Sequence, residues 1–435
     1  MNKTSKLLLG LALADLVAAI DSTAVNVALP NIASYFNISA NFASWMETVY
    51  ILALVIILIP AGKIGDLKGH KKLFVTGLTI FGLASLAIVS MQNYNGILVL
   101  RIIQGAGAAM LYTSSGALVA HNWKKTEAAF GVTAAFFSLG LLLGPIVGGL
   151  LSDLRIGNWQ GWHLIFAINI PIIISCFLLV KNNCEETKTD NERANFDYIG
   201  LAFLTVFLSS LILLLTQSYQ PGLIILGAIS FITFVYRETH CSNPLVNLKI
   251  FTNRTFAAVS IFTLLCMFIF IGLSFVSTFY IQGILHKSAT VTGLYLLPMF
   301  LGMSVSAYVS GLFRNWKIGA ILASVFIGIA MVIFIFSKPE DAYFTSLFWG
   351  YLAIGVGGGL MMTNTFAAAL GSVKKEWSGL AAGYINTVQQ IGSLAGIAFV
   401  AGLNILVDYH QAYMYLLVVG VLAFVSALFI ENGKG

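Results

Sequence analysis

Fourteen stretches of roughly twenty mostly apolar residues follow one another along this chain, each long enough to cross the hydrocarbon core of a bilayer. Their approximate ranges are 6–29, 43–61, 73–91, 96–120, 127–151, 160–180, 198–217, 221–236, 255–281, 289–312, 317–336, 342–370, 379–404 and 412–430. A water-soluble globule cannot cover that much apolar chain: only 9% of the residues are charged, where about 25% is usual in soluble domains. The expected fold is therefore an all-α polytopic membrane protein set in a lipid bilayer. The first run carries two aspartates and lacks an obvious A-x-A cleavage site, so it is expected to remain as helix 1 and not to be removed as a signal peptide.

Orientation follows from the positive residues, which accumulate in cytoplasmic loops. With the N-terminus inside, nineteen Lys and Arg fall on the cytoplasmic side and three, Arg155, Lys287 and Lys338, outside; Arg101 sits within helix 4. Both termini are expected in the cytoplasm of a multi-pass protein of the cell membrane. The same bias explains the net charge of +6, and without a basic stripe or motif no nucleic-acid partner is expected. The four cysteines show no spacing of a zinc site or a disulfide framework.

An internal repeat is visible. QGAGAAMLYTSSGALVAHNWKK at 104–125 aligns without gaps on IGVGGGLMMTNTFAAALGSVKK at 354–375, an offset of 250; two residues later in register, Gly131, Gly140 and Gly144 fall on Gly383, Gly392 and Gly396. Helices 1–6 then correspond to helices 9–14, with 7 and 8 left over. The polar break KNNCEETKTDNERANFD at 181–197 closes the first unit as a charged linker would. The expected division is a six-helix bundle at 1–180, a linker with two extra helices at 181–254, and a second six-helix bundle at 255–435. Two parallel six-helix halves are what a major facilitator architecture requires.

Charge inside the spans is concentrated in helix 1. Asp15 and Asp21 lie within it, and Glu47 lies near the outer end of helix 2. A carboxylate in hydrocarbon costs a few kcal/mol, so it calls for a function and a partner. Depth suggests the partner: Asp21 and Arg101 both fall about 22 Å above the inner face of the core at about 1.5 Å per residue. Hydrocarbon disfavours the charged acid and arginine favours it, so a movable Asp21 can hold a proton when apart from Arg101 and release it when near. The alternative is a static ion pair that fixes the packing of helices 1 and 4. Asp15, about 120° round the helix from Asp21, is either a second titrating site or the lining of a wet cavity.

Asn26, Glu47, Gln104, Tyr295, Asn364, Asn386, Gln389 and Gln390 are candidates to line a substrate cavity, with Phe136, Phe137 and Phe275 as a further aromatic lining. Gln104 shares a face with Arg101, and Asn386, Gln389 and Gln390 form one polar stripe on helix 13. Hydrogen bonding between helices is the competing explanation for each. Gly140, Gly144 and Gly148 repeat every four residues, a smooth stripe that admits a close neighbour, and Pro145 bends the helix there. Plain packing explains those glycines but leaves Pro145 and the pair Gly148 and Gly149 unaddressed. Gly62 and Gly69 permit a tight cytoplasmic turn with Asp66 free to cap it or pair with basic neighbours.

Several of these stretches resemble the major facilitator superfamily, in particular its fourteen-helix drug:proton antiporter branch of EmrB/QacA type. IDSTAVNVALP at 20–30 is similar to the branch's helix 1 signature, GKIGDLKGHKK at 62–72 to its cytoplasmic motif with Gly62, Asp66, Gly69 and Lys71 retained, IxxxRxxQGxGAA at 97–109 to its helix 4 motif, GLLLGPIVGG at 140–149 to its antiporter motif, and WHLIFAINIP at 162–171 to the opening of helix 6. Leu67, His70 and His163 depart from the usual residues of these motifs. The resemblance implies that 62–72 is a gating element and that 140–149 faces the other half and discourages leak; the proton-coupling candidates read from charge and depth are Asp21 and Arg101, with Asp15 as a candidate second site. The expected function is a proton-coupled exporter of amphipathic, hydrophobic or cationic small molecules by alternating access, as in multidrug efflux. A dedicated exporter of one metabolite or lipid-like compound, and a non-transporting membrane receptor or scaffold, are the alternatives. No catalytic constellation, nucleotide loop or metal cluster is visible, so neither an enzyme nor a cofactor is expected, and the partners are protons and a small-molecule substrate met by a monomer.

Overall fold

The computed structural model describes residues 2–123, 126–156, 159–185, 197–216, 220–241, 244–310, 315–374, 377–403 and 409–431. Lys124, Lys125, Lys188, Arg193, Arg314, Lys375 and Lys434, all counted in the charge bias, lie outside the described residues. Among those described, the chain forms fourteen long helices: α1 (Lys3–Phe36), α2 (Ala40–Lys68), α3 (His70–Ser90), α4 (Tyr94–Asn122), α5 (Thr126–Ser152), α6 (Trp162–Asn183), α7 (Tyr198–Thr216), α8 (Pro221–His240), α9 (Arg254–Ile284), α10 (Ala289–Ser310), α11 (Trp316–Phe336), α12 (Leu347–Ser372), α13 (Ser378–Gly402) and α14 (Tyr409–Leu428). Thirteen are long and apolar enough to cross a membrane; α13, the remaining one, carries Asn386, Thr387, Gln389, Gln390 and Ser393. Helices dominate because lipid offers no partner for a backbone amide, so each span must satisfy its own.

Polar residues in the short breaks fix where the helices begin. Asn2 accepts the Ser5 amide at 2.7 Å, Ser39 that of Phe42 at 3.1 Å, Asn253 that of Phe256 at 3.0 Å and Asn315 that of Ile318 at 3.0 Å, each filling an otherwise orphaned donor of a first turn. Asn37, in the left-handed region with φ 53°, ends α1. A helix is present at each of the fourteen expected positions, and two boundaries differ informatively. The twelfth begins at Leu347, not 342, because residues 338–341 fold into a turn in which the Lys338 amide donates to Asp341 at 2.8 Å. Helix α2 runs to Lys68, so Gly62 lies inside it, and the tight turn expected between Gly62 and Gly69 is confined to Gly69, whose φ of 98° suits glycine.

The chain divides into two compact units. Unit 1 comprises Met1–Thr205 with Cys241–Leu245 and Ser288–Gly293; unit 2 comprises Val206–His240, Val246–Lys287 and Leu294–Gly435. The repeat seen in the sequence recurs as matched contacts inside each. A Cβ on Gly105 would meet the Tyr50 carbonyl of α2, and one on Gly355 the Met299 carbonyl of α10. Gly107 lies against Gly77 and Phe81 of α3, and Gly357 against Ala323 and Ile327 of α11. Gly140 and Gly144 press on Leu16 and Thr23 of α1, and Gly392 and Gly396 on Leu264 and Phe268 of α9. At each pair the missing side chain lets two helix backbones touch in the same order of elements.

Candidate functional site

Four helices of unit 1 deliver polar side chains to one buried point. Asp21 of α1 is wholly enclosed, and so is Arg101 of α4. Arg101 Nη1 donates to Asp21 Oδ2 at 2.7 Å and to Gln104 Oε1 at 2.7 Å, while its Nε donates to the Met46 carbonyl of α2 at 3.0 Å. The other carboxylate oxygen, Oδ1, accepts from Gln104 Nε2 at 3.1 Å and from Asn169 Nδ2 of α6 at 2.8 Å. Ser85 of α3 accepts from Gln104 Nε2 at 3.0 Å and donates to the Phe81 carbonyl at 2.8 Å. The guanidinium also lies over the Tyr50 ring, 4.0 Å from its centroid, and 5.7 Å from that of Phe166.

This is the partnership expected from depth, made tighter by Asn169 and Ser85, which the sequence reading did not select. Desolvating two charges costs as much as their attraction returns unless remaining lone pairs are satisfied, and here each carboxylate oxygen has at least one donor. Two atoms stay unpaired at the node, Arg101 Nη2 and Asn169 Oδ1. Chemically, the cluster commits both carboxylate oxygens of Asp21 to donors, one of them the Arg101 guanidinium.

The other two interior acids meet only neutral donors. Glu47 Oε2 accepts from Asn26 Nδ2 at 3.0 Å, joining α2 to α1 in a buried acid and amide pair. Asp15 Oδ2 accepts from Ser115 Oγ at 3.3 Å. Both aspartates therefore meet α4 although they stand about 120° apart on α1, because the long Arg101 side chain reaches the farther one.

The candidates of unit 2 do not gather into one place. Asn364 donates to Ser310 Oγ of α10 at 2.6 Å and to its own Leu360 carbonyl at 2.7 Å, with Gly319 of α11 pressed against its amide, so it is committed to helix packing. Asn386 is exposed, Gln389 is buried with Nε2 unpaired, and Gln390 is intermediate, so the stripe on α13 divides between environments. Tyr295 stacks on Tyr343 with centroids 3.9 Å apart and accepts the Tyr343 hydroxyl on its carbonyl at 2.8 Å. In unit 1, Phe136 is half-buried and Phe137 meets Tyr112 edge-on at 6.0 Å; Phe275 in unit 2 is buried against Phe279.

The cytoplasmic motif is anchored at both ends of its helix junction. Asp66 pairs with His70 at 3.0 Å, Lys63 Nζ donates to the Pro244 carbonyl at 2.8 Å, and Lys71 Nζ donates to that of Cys184. In the antiporter motif the glycines serve two neighbours. Gly140, Gly144 and Gly148 abut Leu16, Thr23 and Ala24 of α1 within the same unit. Gly149 and the Pro145 carbonyl instead receive Ala289, Thr290 and Gly293 at the start of α10, residues that cluster with unit 1. Close packing against α1 accounts for the stripe, and the second neighbour for Gly149.

Asp153, just past α5, completes that second contact. It accepts the amides of Ala289 at 3.2 Å and Thr290 at 2.8 Å and the Thr290 hydroxyl at 2.6 Å. Burial pushes this carboxyl up, and the bonds from Thr290, Ser288 and Ala289 outweigh it, holding it below the ordinary aspartate value.

Comparison with known proteins places these observations. The family model described as Major Facilitator Superfamily matches residues 11–397. The chain is 28% identical over 416 residues to the multidrug resistance protein Stp of Mycobacterium tuberculosis, covering 92% of this chain and 75% of that protein. It is 27% identical over 403 residues to the tetracenomycin C resistance and export protein of Streptomyces glaucescens, covering 90% and 74%. Its fold is similar, with a TM-score of 0.69 at 14% identity over 99% of this chain and 96% of the other, to that of a bacterial homologue of the human lysosomal transporter Spinster.

Proposed function

Because this chain belongs to the major facilitator superfamily and is a transporter of that class, we propose that it is a proton-coupled exporter of amphipathic, hydrophobic or cationic small molecules. The observation that carries the reading is the buried node of Asp21, Arg101, Gln104 and Asn169. An intramembrane carboxylate that shares a guanidinium with two amides is held ready to exchange that partner for a proton. A proton taken by Asp21 releases Arg101, lets α1 and α4 shift, and is given up when the pair re-forms; alternating access ties each cycle to one outward passage of substrate. The membrane potential contributes about 2.3 kcal/mol per charge per 100 mV, enough for one proton to drive a tens-fold gradient of a neutral substrate.

In this reading 1–180 and 255–435 are the two moving bundles, and 181–254 supplies the linker and the extra helices. The protein works as a monomer in the bacterial cell membrane, with both termini in the cytoplasm. Asp15 and the Glu47 and Asn26 pair stand on the substrate path of unit 1, and the junction at 62–72 gates its cytoplasmic side.

A narrower substrate range is the second reading, supported by the resistance and export protein named for the single compound tetracenomycin C. Proteoliposomes under an imposed pH gradient separate the possibilities. Wild-type vesicles should accumulate substrate and change their lumenal pH when it is added, and Asp21→Asn should lose the gradient-driven component of uptake. Coupled transport that survives in Asp21→Asn would remove Asp21 from the mechanism, and a panel of chemically unrelated cargoes distinguishes a broad exporter from a dedicated one.

A further inference from the structure

The repeat that aligns α4 with α12 at an offset of 250 puts Tyr351 where unit 1 has Arg101. Around Tyr351, unit 2 assembles hydroxyls in place of charges. Ser277 and Tyr280 come from α9, Tyr351 from α12 and Tyr413 from α14; all four are at most 1% exposed, Tyr351 is directed at Ser277 and Tyr280 at Tyr409, and no hydroxyl of the four reaches a partner at normal hydrogen-bond geometry among the described residues. The Tyr280, Tyr351 and Tyr413 hydroxyls lie within electrostatic reach of one another, and Tyr351 faces Ser277. Hydroxyls this poorly bonded to one another in an apolar interior would be a costly defect, since buried polar groups are nearly always well bonded.

The surrounding rings limit what can satisfy them. Phe334 of α11 lies 5.0 Å from Tyr351 and 5.3 Å from Tyr413 between centroids, and Tyr280 lies 4.6 Å from Tyr409. Rings at these separations are already in contact, leaving no room between them for an organic cation. The hydroxyls carry no charge with which to compensate an ion. What fits is a molecule of about 30 Å³ that both donates and accepts hydrogen bonds. The helix is locally altered here as well: Tyr280–Ile284 forms a π turn in which the Tyr280 carbonyl accepts from the Leu285 amide at 3.0 Å, a distortion frequent at functional sites.

We infer that unit 2 encloses a buried hydration site, bounded by Ser277, Tyr280, Tyr351 and Tyr413, in which water occupies the place that the Asp21 node fills with charge in unit 1. Its hydrogen bonds hold α9, α12 and α14 together through a small exchangeable molecule and not through a fixed ion pair. Those helices can therefore re-pair without stranding a charge.

Two measurements on the full-length protein test this. The first is thermal unfolding in detergent of Ser277→Ala, Tyr351→Phe and Tyr413→Phe. In a hydrated site each change removes one bond from a connected network, and Tm falls by a few degrees; in a dry site it deletes an unpaired hydroxyl, and Tm rises. The second is X-ray hydroxyl-radical labelling of the wild type, in which bound water generates the radical beside buried rings. Tyr351 and Tyr413 should label several-fold faster than Tyr94, which is buried in unit 1 with its hydroxyl bonded at 2.9 Å to the Phe42 and Ala43 carbonyls. A rise in Tm for the phenylalanine variants, or labelling no faster than that of Tyr94, overturns the inference.

Discussion

Unit 1 and unit 2 repeat one pattern of helix contacts yet fill their interiors with opposite chemistry. In unit 1 the fourth helix carries Arg101 to an acid on the first; in unit 2 the equivalent helix carries Tyr351 to a serine on the ninth. The glycine contacts are kept on both sides, so the backbone frame is common and only the side chains at the node differ. The difference teaches that a scaffold built by close helix approach is indifferent to what it encloses. Charge can then be placed at one node, where its desolvation cost is matched by a partner, while the equivalent node of the other unit stays neutral.

The sharpest way to break the comparison is to remove one side of each node. Arg101→Ala leaves Asp21 buried and uncompensated, which should cost about 3–5 kcal/mol. Tyr351→Phe removes one neutral hydroxyl and should cost at most about 1.5 kcal/mol. Reversible unfolding in mixed micelles reads both. Pairing Arg101→Gln with Asp21→Asn should recover most of the larger loss, because no lone charge remains. Equal losses for the two single variants would mean that the charged node is no more committed than the neutral one.

The common frame can be tested separately. Gly105→Ala and Gly355→Ala each drive a methyl into a carbonyl of the neighbouring helix, Tyr50 in one unit and Met299 in the other, and overpacking of this kind costs about 1–3 kcal/mol. Gly131→Ala and Gly383→Ala, another pair matched by the repeat, have nothing within 4 Å of the added carbon and should be close to neutral. The expected result is two matched pairs, one sensitive and one tolerant, measured by the same unfolding assay. A split within either pair would show that the repeat in sequence is not a repeat in packing.

How far the sequence alone carried varies with the physics at each position. Long apolar runs marked the spans because hydrocarbon thickness imposes a length, and glycine at fixed offsets marked the repeat because close backbones tolerate little else. The link between Asp21 and Arg101 was legible because depth can be counted along a helix and intramembrane charge is rare. Asn169 was visible only as a letter in the helix 6 motif, and Ser85 gave no signal, since a serine that bonds its own turn at Phe81 reads like any other helix serine. Gly62 misled because glycine permits a turn without requiring one. The hydroxyl cluster of unit 2 was hidden by abundance, among 16 tyrosines and 32 phenylalanines, and only contact geometry separates Tyr351 from the rest.

The smallest expected effect lies where residues from the start of α10 join unit 1. Asp153 caps that helix through the Ala289 and Thr290 amides, and its carboxyl is held below the ordinary aspartate value chiefly because these bonds outweigh burial. A lowered value means that the bonds favour the charged form. Their contribution is therefore whole above the unfolded aspartate value of about 3.9 and is lost as pH falls through the lower folded one. Because Asp153 is exposed, the gain is modest and screened by solvent. Amide exchange at Ala289 and Thr290 should then show protection that is constant from neutral pH down to about 4 and declines only below it. Asp153→Ala should lower that protection about fivefold at neutral pH, the equivalent of an N-cap worth about 1 kcal/mol. Protection that falls near pH 6 would instead point to His163 or another imidazole and not to Asp153 as the group that holds these residues. Exchange unchanged in the alanine variant would leave the Gly149 and Pro145 backbone contacts as sufficient to hold the segment.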